Sequence, residues 1–284
     1  MDSLISFDGA ADVMNNLINK LSDAIGWIAT RDTPNRMAVD TYIQEIKDSN
    51  LNPATKAALI SNARKTIREH RNQSEVLKIA LQSLSPSATP EQVDDDWLAQ
   101  FMDKARLVSD EKFRILWGNI LAEECNHPDS IPKALLHIME QMDKNMAEAF
   151  MNVAALSVWY EYEGDKFYTP IIKGSNIEEY YRKQGVNYGD LVELQSVGLI
   201  KMEFGFMECS FTQSVTEFPV VVHYHDQEYA INGSNDGIPC GNVVYTNAGG
   251  ALCKTISALK IDDFFEEHCI PFWEEMCQKS VNAK

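Results

Sequence analysis

Residues 53–84 read PATKAALISNARKTIREHRNQSEVLKIALQSL, and this stretch decides the architecture of the first half of the chain. Asn52 followed by Pro53 is typical of a helix N-cap with proline at the first helical position. The central polar residues His70 and Ser74 interrupt an apolar heptad seam that predicts a long helix. Because unpaired buried polar groups cost about 1–3 kcal/mol, this polar break is a hydrogen-bonded layer, an exposed stretch or a helix interruption. The apolar seam residues are Ile60, Ala63, Ile67, Leu77, Leu81 and Leu84.

The same helix carries the one concentrated basic stripe of the sequence. Arg64, Arg68 and Arg71 lie at positions i, i+4 and i+7, which share one face of a helix. One interpretation is an ion-pair network with acidic residues of neighbouring helices. The other is a site for phosphate, nucleic acid or an acidic partner surface, since guanidinium groups bind such anions strongly.

Composition limits the class of protein. The chain has 284 residues, 25 of them basic and 42 acidic, and its formal net charge is −17. A 45% apolar content excludes a mainly disordered chain. The acidic balance disfavours proteins that coat DNA or bind anionic lipid. The sequence shows no membrane span, no signal peptide and no disulfide framework, so we expect a cytoplasmic protein without a membrane partner.

Periodicity predicts two domains. Residues 1–156 show helical periodicity throughout and predict a helical domain around the long helix, at about 53–84. Residues 157–284 combine short alternating strands with helices and predict an α+β domain that ends in a helix. The predicted fold is therefore mostly α, with a smaller α+β part.

Part of the second domain resembles a winged helix. Residues 188–258 run as a helix ending at Gly198, then strands, then a closing helix. A DNA-binding winged helix carries basic residues on its recognition helix and wing. Residues 186–260 contain eight acids and only three basic side chains, Lys201, Lys254 and Lys260. We therefore expect a protein-contact module and no DNA binding by this part.

Local signals predict where several elements begin and turn. Thr89-Pro90-Glu91-Gln92 is typical of a capping box, and Ser109 of a helix N-cap. Residues 159–168 predict a hairpin that turns at Gly164-Asp165. Pro271 should kink the last helix, because proline removes a backbone donor.

A distinctive set of residues resembles the core signature of an uncharacterised bacterial family, domain of unknown function 2806. The set is Asp95-Asp96-Trp97-Leu98, Phe101, Val108-Ser109-Asp110-Glu111, Leu116-Trp117-Gly118, Ile120-Leu121-Ala122, Glu124, Pro128 and Ser130. The upstream motif of the family is similar to Arg71, Gln73, Glu75 and Ala80, and its C-terminal motif to Thr246, Ala248, Gly249 and Leu252. Asp129 and Pro132 depart from the pattern, which has Gly and Ser there.

The resemblance implies no catalytic residues, because the family has no established activity. Related helical families imply, by analogy, a role in bacterial antiviral defence of the abortive-infection type. Fold-level analogy is a weak argument for function.

Acidic clusters are the first alternative source of chemistry. Asp94-Asp95-Asp96, Asp110-Glu111 and Glu123-Glu124 are carboxylates of the kind that a metal-dependent nuclease needs. The simpler interpretation is helix capping and solvation, since acids stabilise helix N-termini.

Histidines and cysteines supply the second alternative. Strand alternation would place His223 and His225 on one face, with Asp226 or Cys240 as a third zinc ligand. An ordinary strand edge explains the same residues. Cys209, Cys240 and Cys253 lack a neighbouring base at a known spacing, so no catalytic nucleophile and no cofactor are predicted.

These observations favour a non-catalytic interaction or regulatory protein. Its predicted contact surfaces are the arginines at 64, 68 and 71 and the C-terminal module, with a protein partner or a second copy of the chain bound there. A metal-dependent hydrolase or nuclease and a nucleic-acid sensor remain the alternatives.

Overall fold

Residues 8–26, 36–173, 179–203, 209–210, 219–231 and 238–274 are described in a computed structural model of the chain. The chain divides into two compact units, Met1–Leu136 and His137–Lys284. The predicted domain boundary after residue 156 stays a prediction.

The first unit is helical. The long helix, α3, begins where the sequence predicted, because the Asn52 side chain accepts the Thr55 N–H at 2.9 Å. It continues without interruption through the polar break. The helices are α1 (Asp8–Ile25), α2 (Arg36–Asp48), α3 (Pro53–Ser83), α4 (Asp95–Ala105), α5 (Glu111–Asn126) and the start of α6 (Lys133–Gln141).

The core of the first unit lies between α3, α4 and α5. Val76 and Ala80 of α3 are fully buried, and α3 packs mainly against α5. Trp97 stacks on Phe101 with ring centroids 5.2 Å apart, and the Trp97 indole N–H donates to the Ile131 carbonyl at 2.9 Å. This packing holds α3 firmly against the rest of the unit.

The second unit combines short helices with antiparallel sheets, as the predicted α+β class requires. Its largest sheet has the strand order β2-β1-β5-β6, and β3 pairs with β8 and β4 with β7. The helices are α7 (Lys144–Ala155), α8 (Glu179–Lys183), α9 (Tyr188–Ser196) and α10 (Asn247–Lys254), followed by a π-helix at Phe264–Cys269. The strands are β1 (Ser157–Tyr162), β2 (Asp165–Pro170), β3 (Ile200–Met202), β4 (Cys209–Ser210), β5 (Val220–Tyr224), β6 (Gln227–Ile231), β7 (Pro239–Gly241) and β8 (Val243–Tyr245).

Turn geometry corrects one detail and confirms another. The hairpin of β1 and β2 turns at Glu163 and Gly164, one residue earlier than predicted, with φ of 53° and 85°. Positive φ at both central residues is the mark of a type I′ turn, which matches strand twist. Gly198 does end α9: its φ is 83°, and the Leu199 N–H reaches back to the Leu194 carbonyl at 3.0 Å.

No helix within the described ranges combines the length and the apolar character that crossing a membrane demands.

Candidate functional site: an exposed arginine stripe

Arg64, Arg68 and Arg71, hereafter the arginine stripe, are all exposed. At about 100° of rotation per residue, the three side chains lie within a narrow arc of α3. The buried residues of α3, centred on Val76 and Ala80, lie on the other side of the helix. The core therefore holds the helix in place while the stripe faces solvent.

The carboxylates of α3 do not neutralise the stripe. The helix has six basic and two acidic side chains, which gives it a net charge of +4. Its acids are Glu69, which pairs with Arg106 at 2.8 Å, and Glu75, which pairs with Lys78 at 2.9 Å. Within the described part of the chain, no stripe arginine forms a hydrogen bond or an ion pair.

An interhelical polar network does exist, but other arginines build it. Arg114 of α5 donates to the buried Asn72 side chain at 2.7 Å, and Asn72 donates to the Arg106 carbonyl at 2.8 Å. Gln73 donates to the Met102 carbonyl at 2.9 Å. Ser74 of the polar break donates to the His70 carbonyl at 2.9 Å, so the break is hydrogen-bonded, which is one of the three outcomes that the sequence left open.

Charge pairing also fixes Arg106. The carboxylate of Asp103, at 2.8 Å, and then that of Glu69 raise the pKa of this guanidinium above its usual value. Arg106 is therefore a structural cation held by acids, which is the role that the stripe arginines do not have.

The acidic run at Asp94 to Asp96 has structural partners. Asp94 is the N-cap of α4 and accepts the Trp97 N–H at 2.8 Å. A hydrogen bond from Lys133, and then this N–H, lower the pKa of Asp94. Asp95 forms an ion pair with Lys20.

The residues that cap α4 and α5 differ from the predicted ones. Thr89 makes no side-chain cap, because Pro90–Gln92 forms only a short 3₁₀ turn and α4 starts afterwards. Asp110, not Ser109, caps α5 and accepts the N–H groups of Lys112 and Phe113 at 3.0 and 3.4 Å. An aspartate later in the chain therefore caps each helix, Asp94 for α4 and Asp110 for α5.

The histidines at 223 and 225 are engaged separately. His223 stacks on Trp159, with ring centroids 4.0 Å apart. Strand β5 ends at Tyr224, so His225 sits in the following turn with φ of 52°, and the predicted strand alternation does not apply to it. Asp226 forms an ion pair with Lys260.

The cysteines with described side chains are core residues. Cys125, Cys240, Cys253 and Cys269 are buried free thiols. Burial raises the pKa of Cys125 and of Cys253 to about 12, so neither is a thiolate at neutral pH. The side chains of Cys209 and Cys277 lie outside the described residues.

Glu124 and Asp129 shape the turn before α6. Glu124 is buried and accepts the N–H groups of Asp129 at 2.9 Å and Ile131 at 2.8 Å. Asp129 has φ of 67°, a left-handed conformation that favours glycine. This conformation suits the glycine that the family pattern has at position 129, where this chain has aspartate.

Because Asp129 pays a backbone penalty that glycine avoids, Asp129→Gly should stabilise the protein by up to about 1 kcal/mol. Thermal unfolding followed by circular dichroism measures the effect. Glu163, at φ of 53° in an exposed turn, offers a matched position for Glu163→Gly. Equal or lower stability of Asp129→Gly would show that other contacts of the Asp129 side chain outweigh the strain.

A family model described as "Protein of unknown function (DUF2806)" matches residues 61–268. The chain belongs to this family. No curated protein and no solved structure matches the chain. The DUF2806 match begins just before Arg64 and so includes the whole arginine stripe.

Several residues that carry the DUF2806 resemblance have structural roles. Trp97 and Glu124 hold the turn before α6 from two sides, and Gln73 and Ala80 belong to the α3 interface. Arg71 is exposed and has no such role in the described part of the chain.

Sequence reasoning missed one cluster in this DUF2806 chain. Asp263, Glu267 and His268 each present a ligand atom, and these atoms lie within 4.8 Å of one another. Their spacing of i, i+4 and i+5 is visible in the sequence. It does not predict a metal site, because these three positions do not share a face of an α-helix.

Proposed function

We propose that this DUF2806 protein is a non-catalytic interaction or regulatory protein whose arginine stripe contacts a carboxylate-rich surface of a protein partner. The observation that carries the proposal is three exposed guanidinium groups on a helix whose own carboxylates pair with other cations. Uncompensated positive charge on a rigid helix favours anionic partners. The cytoplasmic location and the antiviral-defence role stay predictions.

The charge of the remaining chain favours a protein over a nucleic acid. The chain carries −17 overall and α3 carries +4, which leaves −21 for the rest. A long polyanion needs an extended basic surface, which a chain that is net negative outside α3 does not offer, whereas an acidic protein segment need touch only the stripe.

A second contact surface is proposed on a winged-helix-like arrangement of the second unit. Helix α9 leads into β3, which pairs antiparallel with β8, and β8 leads into α10. The exposed side chains of α9 include Tyr188 and Val192 and no basic residue. The exposed face of α9 thus has apolar and acidic side chains, which supports contact with a protein. It has no basic side chain that could bind the phosphates of DNA.

Affinity purification with three baits tests the stripe. The first is wild type, the second Arg64→Glu/Arg68→Glu/Arg71→Glu, and the third a control with the same charge change at exposed cations of other elements, Lys47→Glu/Lys112→Glu/Arg182→Glu. We expect wild type and control to retain the same protein. The stripe variant should bind it at least about tenfold more weakly, a loss of 1.4 kcal/mol or more.

Equal retention by all three baits would contradict the proposal. Loss of the retained material after nuclease treatment would instead favour the nucleic-acid sensor. Cleavage of nucleic acid by the purified protein with Mg²⁺ or Mn²⁺ would favour the hydrolase or nuclease alternative.

A further inference from the structure

A mixed carboxylate and imidazole cluster lies near the end of the described chain. Asp263 and Glu267 are exposed, His268 is partly exposed, and one ligand atom from each lies within 4.8 Å of the others. The cluster is separate from the arginine stripe, because it belongs to the second unit and the stripe to the first.

The π-helix accounts for the convergence. In an α-helix, residues i and i+5 point about 140° apart. The wider π turn at Phe264–Cys269, with its Ile270 N–H bonded to the Phe265 carbonyl, brings both i+4 and i+5 beside i. Pro271 follows directly and cannot donate a backbone hydrogen bond, which favours such a rearrangement in the preceding turn.

Tyr180 holds two of the three side chains. Its hydroxyl donates to Asp263 Oδ1 at 3.0 Å, and its ring stacks on the His268 imidazole with centroids 3.6 Å apart. Among the described residues, none forms a hydrogen bond with the second carboxylate oxygen of Asp263. In metal sites, hydrogen bonds from outer residues orient ligating carboxylates as Tyr180 orients Asp263.

The two carboxylates lack a compensating cation among the described residues. Neither Asp263 nor Glu267 forms an ion pair with Lys or Arg there, and the neighbouring Asp262 and Glu266 add negative charge. The nearby Lys260 is paired with Asp226. Like charges held this close repel each other, and a bound divalent cation would relieve the repulsion.

We propose that Asp263, Glu267 and His268 bind one divalent cation of the Zn²⁺ class. An imidazole nitrogen with two carboxylate oxygens suits Zn²⁺ better than Mg²⁺, which prefers an all-oxygen shell. Three protein ligands leave a coordination position for water. Tyr180 is a positioning residue in this site.

Zinc titration of the metal-free full-length protein, followed by calorimetry, tests the site. Wild type should bind one Zn²⁺ that Glu267→Gln and His268→Gln bind at least about tenfold more weakly, because each loses a ligand. Asp262→Asn removes one charge beside the cluster but no ligand and should bind like wild type. Far-UV circular dichroism checks that each variant is folded.

Absence of Zn²⁺ binding to wild type, or unchanged binding to both ligand variants, would overturn the proposal. Neither result bears on the arginine stripe.

Discussion

Gly249→Ala should be about 3 kcal/mol less stable than wild type, an overpacking cost at the upper end of the usual range. A Cβ at position 249 would lie 1.9 Å from the Leu199 carbonyl oxygen. That carbonyl accepts the Thr246 N–H at 3.1 Å, and the Thr246 hydroxyl caps α10 by accepting the Gly249 N–H at 3.1 Å. The backbone around Leu199 must therefore move, and the cap moves with it.

The neighbouring glycine provides the matched control. A Cβ at Gly250 would have no atom within 4 Å, so Gly250→Ala should be as stable as wild type or more stable, by up to about 1 kcal/mol of helix propensity. The midpoint of thermal unfolding, followed by circular dichroism, compares the two variants. Equal midpoints would mean that α10 shifts away from Leu199 without cost.

Glu124→Ala should be destabilised by about 2–5 kcal/mol, because it leaves the buried Ile131 N–H and the partly buried Asp129 N–H without acceptors. These donors belong to Asp129 and Ile131, and Glu124 is 1% exposed. Glu123→Ala is the control, because the neighbouring Glu123 is partly exposed and, among the described residues, pairs with the exposed His127 at 3.2 Å. Urea unfolding at neutral pH measures both variants.

Similar losses in the two variants would contradict the role of Glu124. Glu124→Gln should fall between wild type and Glu124→Ala, since its amide oxygen can still accept one of the two N–H groups.

Glu124 also predicts a pH dependence. Burial raises the pKa of Glu124 above its ordinary 4.5, and the Ile131 and Asp129 N–H groups oppose this only in part. The folded state then binds a proton more tightly than the unfolded state. This contribution to stability is complete below pH about 4.5 and is lost as pH rises through the folded-state pKa. Stability measured across this range should change less in Glu124→Gln than in wild type.

Local sequence determined much of the helical part. Asn52-Pro53 marked the start of α3, and Gly198 marked the end of α9, because both signals depend on the backbone of adjacent residues. The caps of α4 and α5 were predicted at the wrong residues. Several side chains able to cap a helix lie near each start, and local spacing alone does not choose among them.

Periodicity placed the three stripe arginines on one face of α3, but it did not say whether they are paired. An arginine side chain is long enough to reach several acids, so its partner depends on which helices pack nearby. The packing of α4 and α5 against α3 pairs Glu69 with Arg106 and Asn72 with Arg114. It leaves the arginine stripe exposed. The candidate interaction surface thus depends both on the spacing of the three arginines in the sequence and on the helix packing that leaves them exposed.

The sequence by itself determined the long helix, the change to an α+β second part, the family and the concentration of positive charge on one helix face. These properties follow from local spacing and composition. Only the tertiary structure decided that the polar break is bonded, that His225 leaves the strand, and that a π turn gathers Asp263, Glu267 and His268. Each of these depends on contacts between residues far apart in the chain or on a helical period other than the usual one, which spacing along the sequence does not encode.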